Sequence, residues 1–205
     1  MATRTRKPSA VRRREIAEGA LRVIGREGAT SLTAATLAAE VGLTPGALFR
    51  HFASVDRILE AAVELAVERI DGTFPAAERP PLERLRSLAR ARVELVRGTP
   101  GLAWLLLSDQ VYLSVPEPAV ARLRDLVQRS RAFILAAFSE ALERGELRAD
   151  LTPQTFLPIF TGTIHSLLAA PGVHSAPGRA TSPTPSQVLD TLFTLITPNG
   201  STTPS

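Results

Sequence analysis

The 205-residue chain is predicted to fold as an all-α protein. Three observations predict this class. Apolar residues recur at helical spacing, the helix-forming residues Ala, Leu, Arg and Glu dominate, and Gly and Pro are scattered rather than periodic. Hydrophobic residues make up 44% of the chain, which is enough for a sizeable core. We therefore expect about nine helices rather than a β-rich fold.

The first two predicted helices are each bounded by a cap and a glycine. Ser9 can cap a helix over residues 9–27, which Gly28 stops. Thr33 caps a short second helix that ends at Gly42. Each helix is amphipathic, with apolar stripes formed by Ile16, Ala17, Ala20, Leu21 and Ile24 in the first and by Leu37, Ala38 and Val41 in the second.

The stretch that follows predicts a tight turn and a third, short helix. Gly42 makes the turn, Thr44 is the cap, and Pro45 takes the first helical position, where its missing N–H costs nothing. Gly46 and Ala47 keep the outer surface of this helix small, and we expect it to run to about residue 51. The predicted pattern is helix, tight turn, helix.

Six further helices are predicted after residue 53. They cover approximately residues 54–70, 81–96, 102–109, 118–144, 153–170 and 186–196. The inward face of the long seventh helix is predicted to consist of Leu123, Leu126, Val127, Phe133, Ile134, Ala137, Phe138 and Ala141. Residues 171–185 are rich in Pro and Gly and predict a mobile loop, and the tail from residue 197 is expected to be disordered.

Positive charge is concentrated at the N-terminal end. Residues 1–52 contain nine basic and four acidic residues, a net charge of +5, whereas the rest of the chain carries −1. Such segregation favours an anionic partner at this end of the protein.

Several other classes of function are not expected. The chain has no cysteine, which excludes disulfides, thiolate zinc sites and cysteine nucleophiles. It has three histidines, no glycine-rich phosphate loop after a strand, and no close carboxylate pair within an apolar helix. We therefore expect no enzymatic activity, no cofactor and no metal ion.

The sequence favours a cytoplasmic location. The basic start leads into further arginines instead of an apolar stretch, so a secretory signal lacks its hydrophobic region. Residues 151–177 carry no Asp, Glu, Lys or Arg and are long enough to span a bilayer. They also contain several prolines and polar residues, so we favour a helix that is buried on most faces over a membrane span.

The segment SLTAATLAAEVGLTPGALFRHFAS, residues 31–54, resembles the DNA-binding region of the tetracycline-repressor (TetR) family of bacterial transcriptional regulators. The match includes the Thr before the second helix, the Val-Gly-Leu-Thr turn and the aromatic-Arg-His-Phe ending. It covers about a quarter of the chain. The resemblance implies a homodimer with a three-helix DNA-binding head and a larger helical body that binds a small molecule. The corresponding ranges are a basic flexible arm (1–8), the head (9–53), the body (54–198) and a disordered tail (199–205).

The third helix supplies the expected DNA-reading surface. Arg50 is the only strong base-reading donor there, and the base-edge surface is expected to comprise Thr44, Pro45, Gly46 and Ala47. Thr33 marks a helix start that favours a phosphate. The resemblance adds Phe49 and His51 as contacts to the DNA backbone. Two alternatives stay open, since Phe49 can pack in the core and His51 can cap the third helix.

The chain departs from the family pattern at two positions. Phe49 replaces a usual tyrosine and Val55 replaces a usual lysine, whose polar groups contact phosphates in the family. Arg57 can partly substitute for the lysine. An N-terminal arm containing Arg4, Arg6 and Lys7 can add contacts along the backbone or minor groove, the alternative being a tail without a role.

The last two predicted helices carry more apolar surface than one subunit is expected to cover. In the family this pair forms a four-helix bundle with its twin, which predicts a dimer interface formed by Phe160, Ile164, Leu189, Phe193 and Ile196. A pocket for an apolar ligand is predicted from Trp104, Tyr112, Phe133 and His165, although each aromatic can instead be core and His165 a buried, hydrogen-bonded histidine.

These features predict a DNA-binding transcriptional regulator that binds a pseudo-palindromic operator. The leading hypothesis is a repressor released from DNA by a small, apolar molecule. The alternative is a DNA-binding or protein-recruiting adaptor of the same fold without an effector, such as a nucleoid-associated division factor.

Overall fold

The computed structural model describes residues 8–168 and 183–198, and over these ranges the chain forms helices and no strand. The all-α prediction is therefore confirmed. The helices are α1 (Ser9–Glu27), α2 (Ala34–Val41), α3 (Pro45–Leu48), α4 (Val55–Asp71), α5 (Pro81–Arg97), α6 (Pro100–Leu107), α7 (Val111–Ser114), α8 (Glu117–Glu143), α9 (Pro153–Leu168) and α10 (Pro185–Ile196).

The nine predicted helices are present in the predicted order, with two additional short elements. A single 3₁₀ turn (Ala29–Ser31) follows α1, and α7 occupies part of a predicted loop. One boundary was wrong, because α3 ends at Leu48 rather than at residue 51. The chain tightens there, and the His51 amide donates to the Leu48 carbonyl at 2.8 Å, three residues back. The cap of α1 was also wrong, since Pro8 occupies the N-cap position and no side chain caps this helix.

The described residues divide into two compact units, and the division falls within α4 and α8. The first unit extends to Arg69 and includes Gly98–Asp125, so it contains α1 to α3, α6 and α7. The second unit contains Ile70–Arg97 and the residues from Leu126 onward. The first unit holds α6 because this helix packs against α1, and the ranges 9–53 and 54–198 for head and body stay a prediction.

Close helix contacts in the first unit depend on glycines. A Cβ added at Gly101 of α6 would lie 2.1 Å from the Leu21 carbonyl oxygen of α1, so only glycine allows this approach. Likewise, a Cβ at Gly19 of α1 would lie 2.3 Å from Cγ1 of Val41, at the end of α2. The position of α2, and of the turn after it, is thereby fixed against α1.

Aromatic stacking forms much of the core of the second unit. Phe138 of α8 stacks on Phe156 of α9 at 4.3 Å between ring centroids, and Phe160 lies 5.3 Å from Phe156. Phe193 of α10 meets Phe160 edge-on at 6.2 Å. On the other side, the guanidinium of Arg86 on α5 lies 4.4 Å from the centre of the Phe193 ring. α10 is therefore covered by its own chain along this face.

The inward face of α8 and the charge-free segment were also predicted from the sequence. Val127 was predicted to face inward, but 47% of its surface is exposed, because the apolar stripe of α8 is narrower than assumed. The charge-free segment forms only the 16-residue α9 within the described part. No helix in the described ranges combines the length and apolarity needed to cross a membrane.

Candidate nucleic-acid interface

The turn before α3 is built by the residues that the sequence singled out. Gly42 adopts a left-handed conformation, with φ at 65°, and ends α2. The Thr44 hydroxyl oxygen accepts a hydrogen bond from the Ala47 amide at 3.2 Å, and Pro45 follows as the first helical residue. α3 therefore starts abruptly at the surface. Leu48, which is fully buried, anchors it from below.

The outer face of α3 is small and exposed. Thr44, Pro45 and Gly46 are exposed and Ala47 is half-buried. A Cβ added at Gly46 would meet nothing within 4 Å, so no other part of the described chain covers this face. A short helix with such small side chains can approach the base edges of a major groove closely.

Arg50 follows α3 and carries a positive charge that can bind a partner beside this face. Its side chain is exposed, and within the described residues it makes no hydrogen bond or ion pair. Other exposed arginines nearby are engaged. Arg22 and Arg26 of α1 both donate to Glu40 of α2, at 2.5 and 2.7 Å, and these hydrogen bonds lower the pKa of the Glu40 carboxyl. Arg50 therefore retains its donors for a partner outside the described chain.

The start of α2 is capped by two threonines. The Thr33 hydroxyl accepts from the Thr36 amide at 3.1 Å, and the Thr36 hydroxyl accepts from the Thr33 amide at 2.9 Å. The amides of Ala34 and Ala35 make no backbone hydrogen bond to any described residue. These two N–H groups are the ones left for a phosphate at this helix start.

The aromatic residues after α3 divide between surface and core. Phe49 is 47% exposed, which leaves it accessible, whereas Phe52 is buried. His51 is half-buried and its Nδ1 atom is buried without a hydrogen-bond partner, so this nitrogen does not cap α3. The His51 carbonyl instead accepts from Arg13 at 2.7 Å.

The sequence analysis missed Arg13. Its guanidinium lies 4.2 Å from the centre of the Phe52 ring, and through the His51 carbonyl it joins α1 to the residues that follow α3. Arg13 also lines an open groove of about 390 Å³, together with Phe52, Ala53, Arg57, Glu60, Ala61, Glu64 and Arg122. The sequence does show a run of three arginines at residues 12–14, but this run entered only the net charge of the N-terminal end and no contact was predicted from it.

Arg57, the expected substitute for the family lysine, is exposed and forms an ion pair with Glu60 at 2.6 Å. An exposed pair of this kind contributes only about 0.2–1 kcal/mol, so a phosphate can compete for the arginine. The arm residues Arg4, Arg6 and Lys7 lie outside the described residues.

The predicted ligand-binding residues do not form one cluster within either unit. Trp104 and Tyr112 belong to the first unit, and Phe133 and His165 to the second. Trp104 is half-buried beside Gly28, while Tyr112 is 61% exposed next to Arg124. His165 is exposed rather than buried, although partial desolvation lowers its pKa.

The predicted dimer face requires correction. Phe160, Ile164, Leu189, Phe193 and Ile196 are all buried within the single chain, so they do not form a free surface. Periodicity identified the apolar sides of α9 and α10 but not which side the chain itself covers. The exposed apolar residues of these helices are Ile159 and Leu195, at 50% and 62% exposure.

Comparison with known proteins gave three concordant findings. Residues 16–62 match the model of the bacterial regulatory proteins of the tetR family. A nucleoid occlusion factor SlmA from Vibrio cholerae is 31% identical over 142 residues, covering 67% of this chain and 69% of the relative. SlmA from Marinobacter nauticus is 29% identical over 152 residues, covering 73% and 74%.

The fold also resembles solved structures. AibR in complex with isovaleryl coenzyme A and operator DNA superposes with a TM-score of 0.73 at 21% identity, over 91% of this chain and 98% of that one. The ketosteroid transcriptional regulator KstR2 of Mycobacterium tuberculosis gives a TM-score of 0.73 at 21% identity, over 92% and 96%. At such identity the likeness concerns the fold alone.

Proposed function

The chain belongs to the tetR family of bacterial regulatory proteins, and on that premise we propose that it is a dimeric transcriptional regulator that inserts α3 into the major groove of duplex DNA. The observation that carries this proposal is the small, exposed face of α3 beside Arg50, an arginine without a partner among the described residues. The head comprises residues 9–53.

Each proposed DNA contact has a distinct role. Thr44, Pro45, Gly46 and Ala47 approach the base edges, and Arg50 reads a guanine through two hydrogen bonds. Thr33, Phe49 and His51 lie along the phosphate backbone, where Arg13 and Arg57 add positive charge. The arm residues Arg4, Arg6 and Lys7 provide further backbone or minor-groove contacts.

The dimer positions two such heads on one duplex. We assign the contact between copies to the exposed sides of α9 and α10, including Ile159 and Leu195, in place of the buried residues first expected. A two-fold axis through this contact requires an operator with pseudo-palindromic half-sites about one helical turn or more apart.

The leading form of the proposal is a repressor that a small molecule releases from its operator. AibR, a protein of the same fold, is described in complex with both isovaleryl coenzyme A and operator DNA, which supports an effector for this chain. The second candidate is an adaptor without an effector. It is supported by the two SlmA relatives reported above, which are nucleoid occlusion factors.

Selection of duplexes from a random library, followed by fluorescence anisotropy with the purified full chain, tests the proposal. We expect the selected duplex to contain an inverted repeat and to bind much more tightly than a shuffled duplex of the same composition. Equal affinity for the selected and shuffled duplexes at low salt would contradict sequence-specific binding.

Mapping of chromosomal sites separates the two candidates. A repressor is expected at few sites, beside a gene such as one for a transporter or an oxidoreductase. An adaptor is expected at many sites scattered over the chromosome, with no metabolite that releases it.

A further inference from the structure

Arg92 of α5 is a partly buried cation in the second unit that the proposed DNA contacts do not use. Its Nε donates to the Thr73 hydroxyl at 2.6 Å, and one of its terminal nitrogens donates to the Ser130 hydroxyl at 3.2 Å. Its guanidinium lies 4.9 Å from the centre of the Phe74 ring. Buried arginines are ordinarily paired with a carboxylate, which makes these neutral partners unusual.

Neither hydroxyl neutralises the arginine. Thr73 donates its own hydroxyl proton to the Ile70 carbonyl at 2.6 Å, and Ser130 donates to the Leu126 carbonyl at 2.7 Å. Both oxygens therefore accept from Arg92 and hold its guanidinium in place. Of the five N–H groups of an arginine, these bonds use two, and no described residue accepts from the others.

No carboxylate lies within ion-pair distance of Arg92 in the described ranges. Asp71 acts on its charge electrostatically, but the Asp71 oxygens accept from Arg129 at 2.7 and 3.3 Å. Desolvation by burial lowers the pKa of Arg92 to about 10, against an opposing effect of Asp71, so the group remains protonated at neutral pH. In contrast, Arg84 on the same helix is buried with a direct partner, Glu140.

Apolar surface lies directly beside this cation. Phe74 and Phe133 meet edge-to-face with their ring centroids 5.1 Å apart, and both are only half-buried. The site thus combines a fixed guanidinium, which suits a planar oxyanion, with aromatic surface that suits a hydrocarbon chain.

We propose that Arg92 anchors the carboxylate of a small organic acid whose apolar part packs against Phe74 and Phe133. The inference rests on the proposed function in one respect, namely that this acid is the effector of the regulator. It refines the expected apolar ligand to one with an anionic head, and it makes Arg92 the residue that selects for that head.

Matched pairs of ligands test the anchor. Octanoate and octanamide, and likewise phenylacetate and phenylacetamide, differ only in the head group, so the comparison isolates the charge. By isothermal titration calorimetry we expect the full-length protein to bind the acids at least about tenfold more tightly than the amides. In Arg92→Gln that preference should disappear while amide binding persists. Arg90→Gln, the same change two positions away on α5, should retain the preference.

A second measurement does not depend on a variant that folds. In the unmodified protein, the Nε–H proton of Arg92 is hydrogen-bonded and can be followed by NMR. Octanoate should shift this signal and octanamide should not. Equal binding of acid and amide, no binding of either acid, or an acid preference that survives in Arg92→Gln would overturn the proposal and leave Arg92 a structural cation.

DNA binding, measured on the same samples without ligand, keeps this inference separate from the proposed function. Preferential binding of the selected duplex together with no acid preference would reject only the anchor. If the unmodified protein showed no preference for the selected duplex, the proposed function would be rejected, regardless of how tightly it binds the acids.

Discussion

Arg50 differs from Arg13, Arg22 and Arg26 in what surrounds it rather than in its chemistry. Arg13, Arg22 and Arg26 each donate to a neighbouring oxygen, whereas Arg50 has no such partner among the described residues. A guanidinium that is already engaged must break an existing bond before it binds DNA. Arg50 can present two parallel N–H groups to a guanine without that cost.

Replacement of Arg50 with alanine should therefore relax sequence preference. We expect discrimination against a changed base pair at one operator position to fall by about 1–3 kcal/mol, the size of a bidentate contact to guanine. Anisotropy titrations with the selected duplex and its single-position variants measure this. Arg26→Ala, which removes an arginine engaged by Glu40, serves as the control and should leave the preference unchanged. A uniform loss of affinity on every duplex would make Arg50 a phosphate contact instead.

Phe49 offers a gain-of-contact test at the same scale. Because the ring is 47% exposed, a hydroxyl added in Phe49→Tyr reaches solvent and, in the complex, a phosphate. We expect tighter binding to all duplexes by about 1 kcal/mol, the net value of one hydrogen bond. Phe52→Tyr is the matched control, since its ring is buried and the added hydroxyl should lower stability instead. An unchanged affinity in Phe49→Tyr would show that position 49 does not face the DNA backbone.

At the scale of elements, the turn before α3 and α3 itself each contain a glycine, and the two glycines have different roles. Gly42 has φ at 65° and Gly46 lies inside α3, yet a Cβ at either would meet nothing within 4 Å. An alanine therefore meets no steric clash at either position, and the two substitutions differ only in the backbone conformation that the alanine must adopt.

Alanine at these positions should act in opposite directions on stability. Gly42→Ala should lower the free energy of unfolding by about 1–2 kcal/mol because of the left-handed backbone, and Gly46→Ala should raise it by about 0.5–1 kcal/mol. Urea denaturation measures both. Gly46→Ala should nevertheless weaken DNA binding, since its methyl group stands on the exposed face of α3. Equal and parallel changes in stability would contradict the role assigned to the turn.

The N-terminal arm is predicted to contribute through its charge alone. Removal of residues 1–8 should weaken binding on all duplexes and flatten its salt dependence, because each lost phosphate contact reduces the log-log slope by about 0.9. A full-length variant with Arg4, Arg6 and Lys7 changed to serine should behave like the truncation. Anisotropy titrations over a range of salt concentrations measure the slope. An unchanged slope in both proteins would reject the arm.

At the scale of the whole molecule, local sequence signals predicted most helix boundaries. They did not predict which side chains the folded chain buries or pairs. The caps Thr33 and Thr44, the stop at Gly42 and the start at Pro45 act within a few residues of the chain, so the sequence alone reveals them. The four residues of α7 give too short a period to detect.

Properties that depend on distant residues were less accessible. Arg13 became significant only through contacts with His51 and Phe52, which are almost forty positions away in sequence. Arg50, which has no partner among the described residues, and the hydrogen-bonded arginines Arg13, Arg22 and Arg26 look alike in sequence. Periodicity showed that α9 and α10 are amphipathic, but it could not show that α5 covers Phe193.

Two neighbouring residues of α10 allow folding and dimer formation to be tested separately. One of them is buried within the chain, and the other lies on the side that we assign to the contact between copies. Phe193 is 1% exposed between Phe160 and Arg86, so Phe193→Ala leaves a cavity in the core and should destabilise the second unit by about 3–5 kcal/mol. Leu195 is 62% exposed two positions along the same helix, so Leu195→Asp should leave the helical circular dichroism and its melting temperature nearly unchanged. If α10 contacts a second copy through this side, however, Leu195→Asp should yield a monomer in analytical ultracentrifugation. It should also lose affinity for the two-half-site operator but not for an isolated half-site, because the second head is no longer held on the same duplex. A stable Leu195→Asp dimer at the concentration where the unmodified chain dimerises would exclude this face.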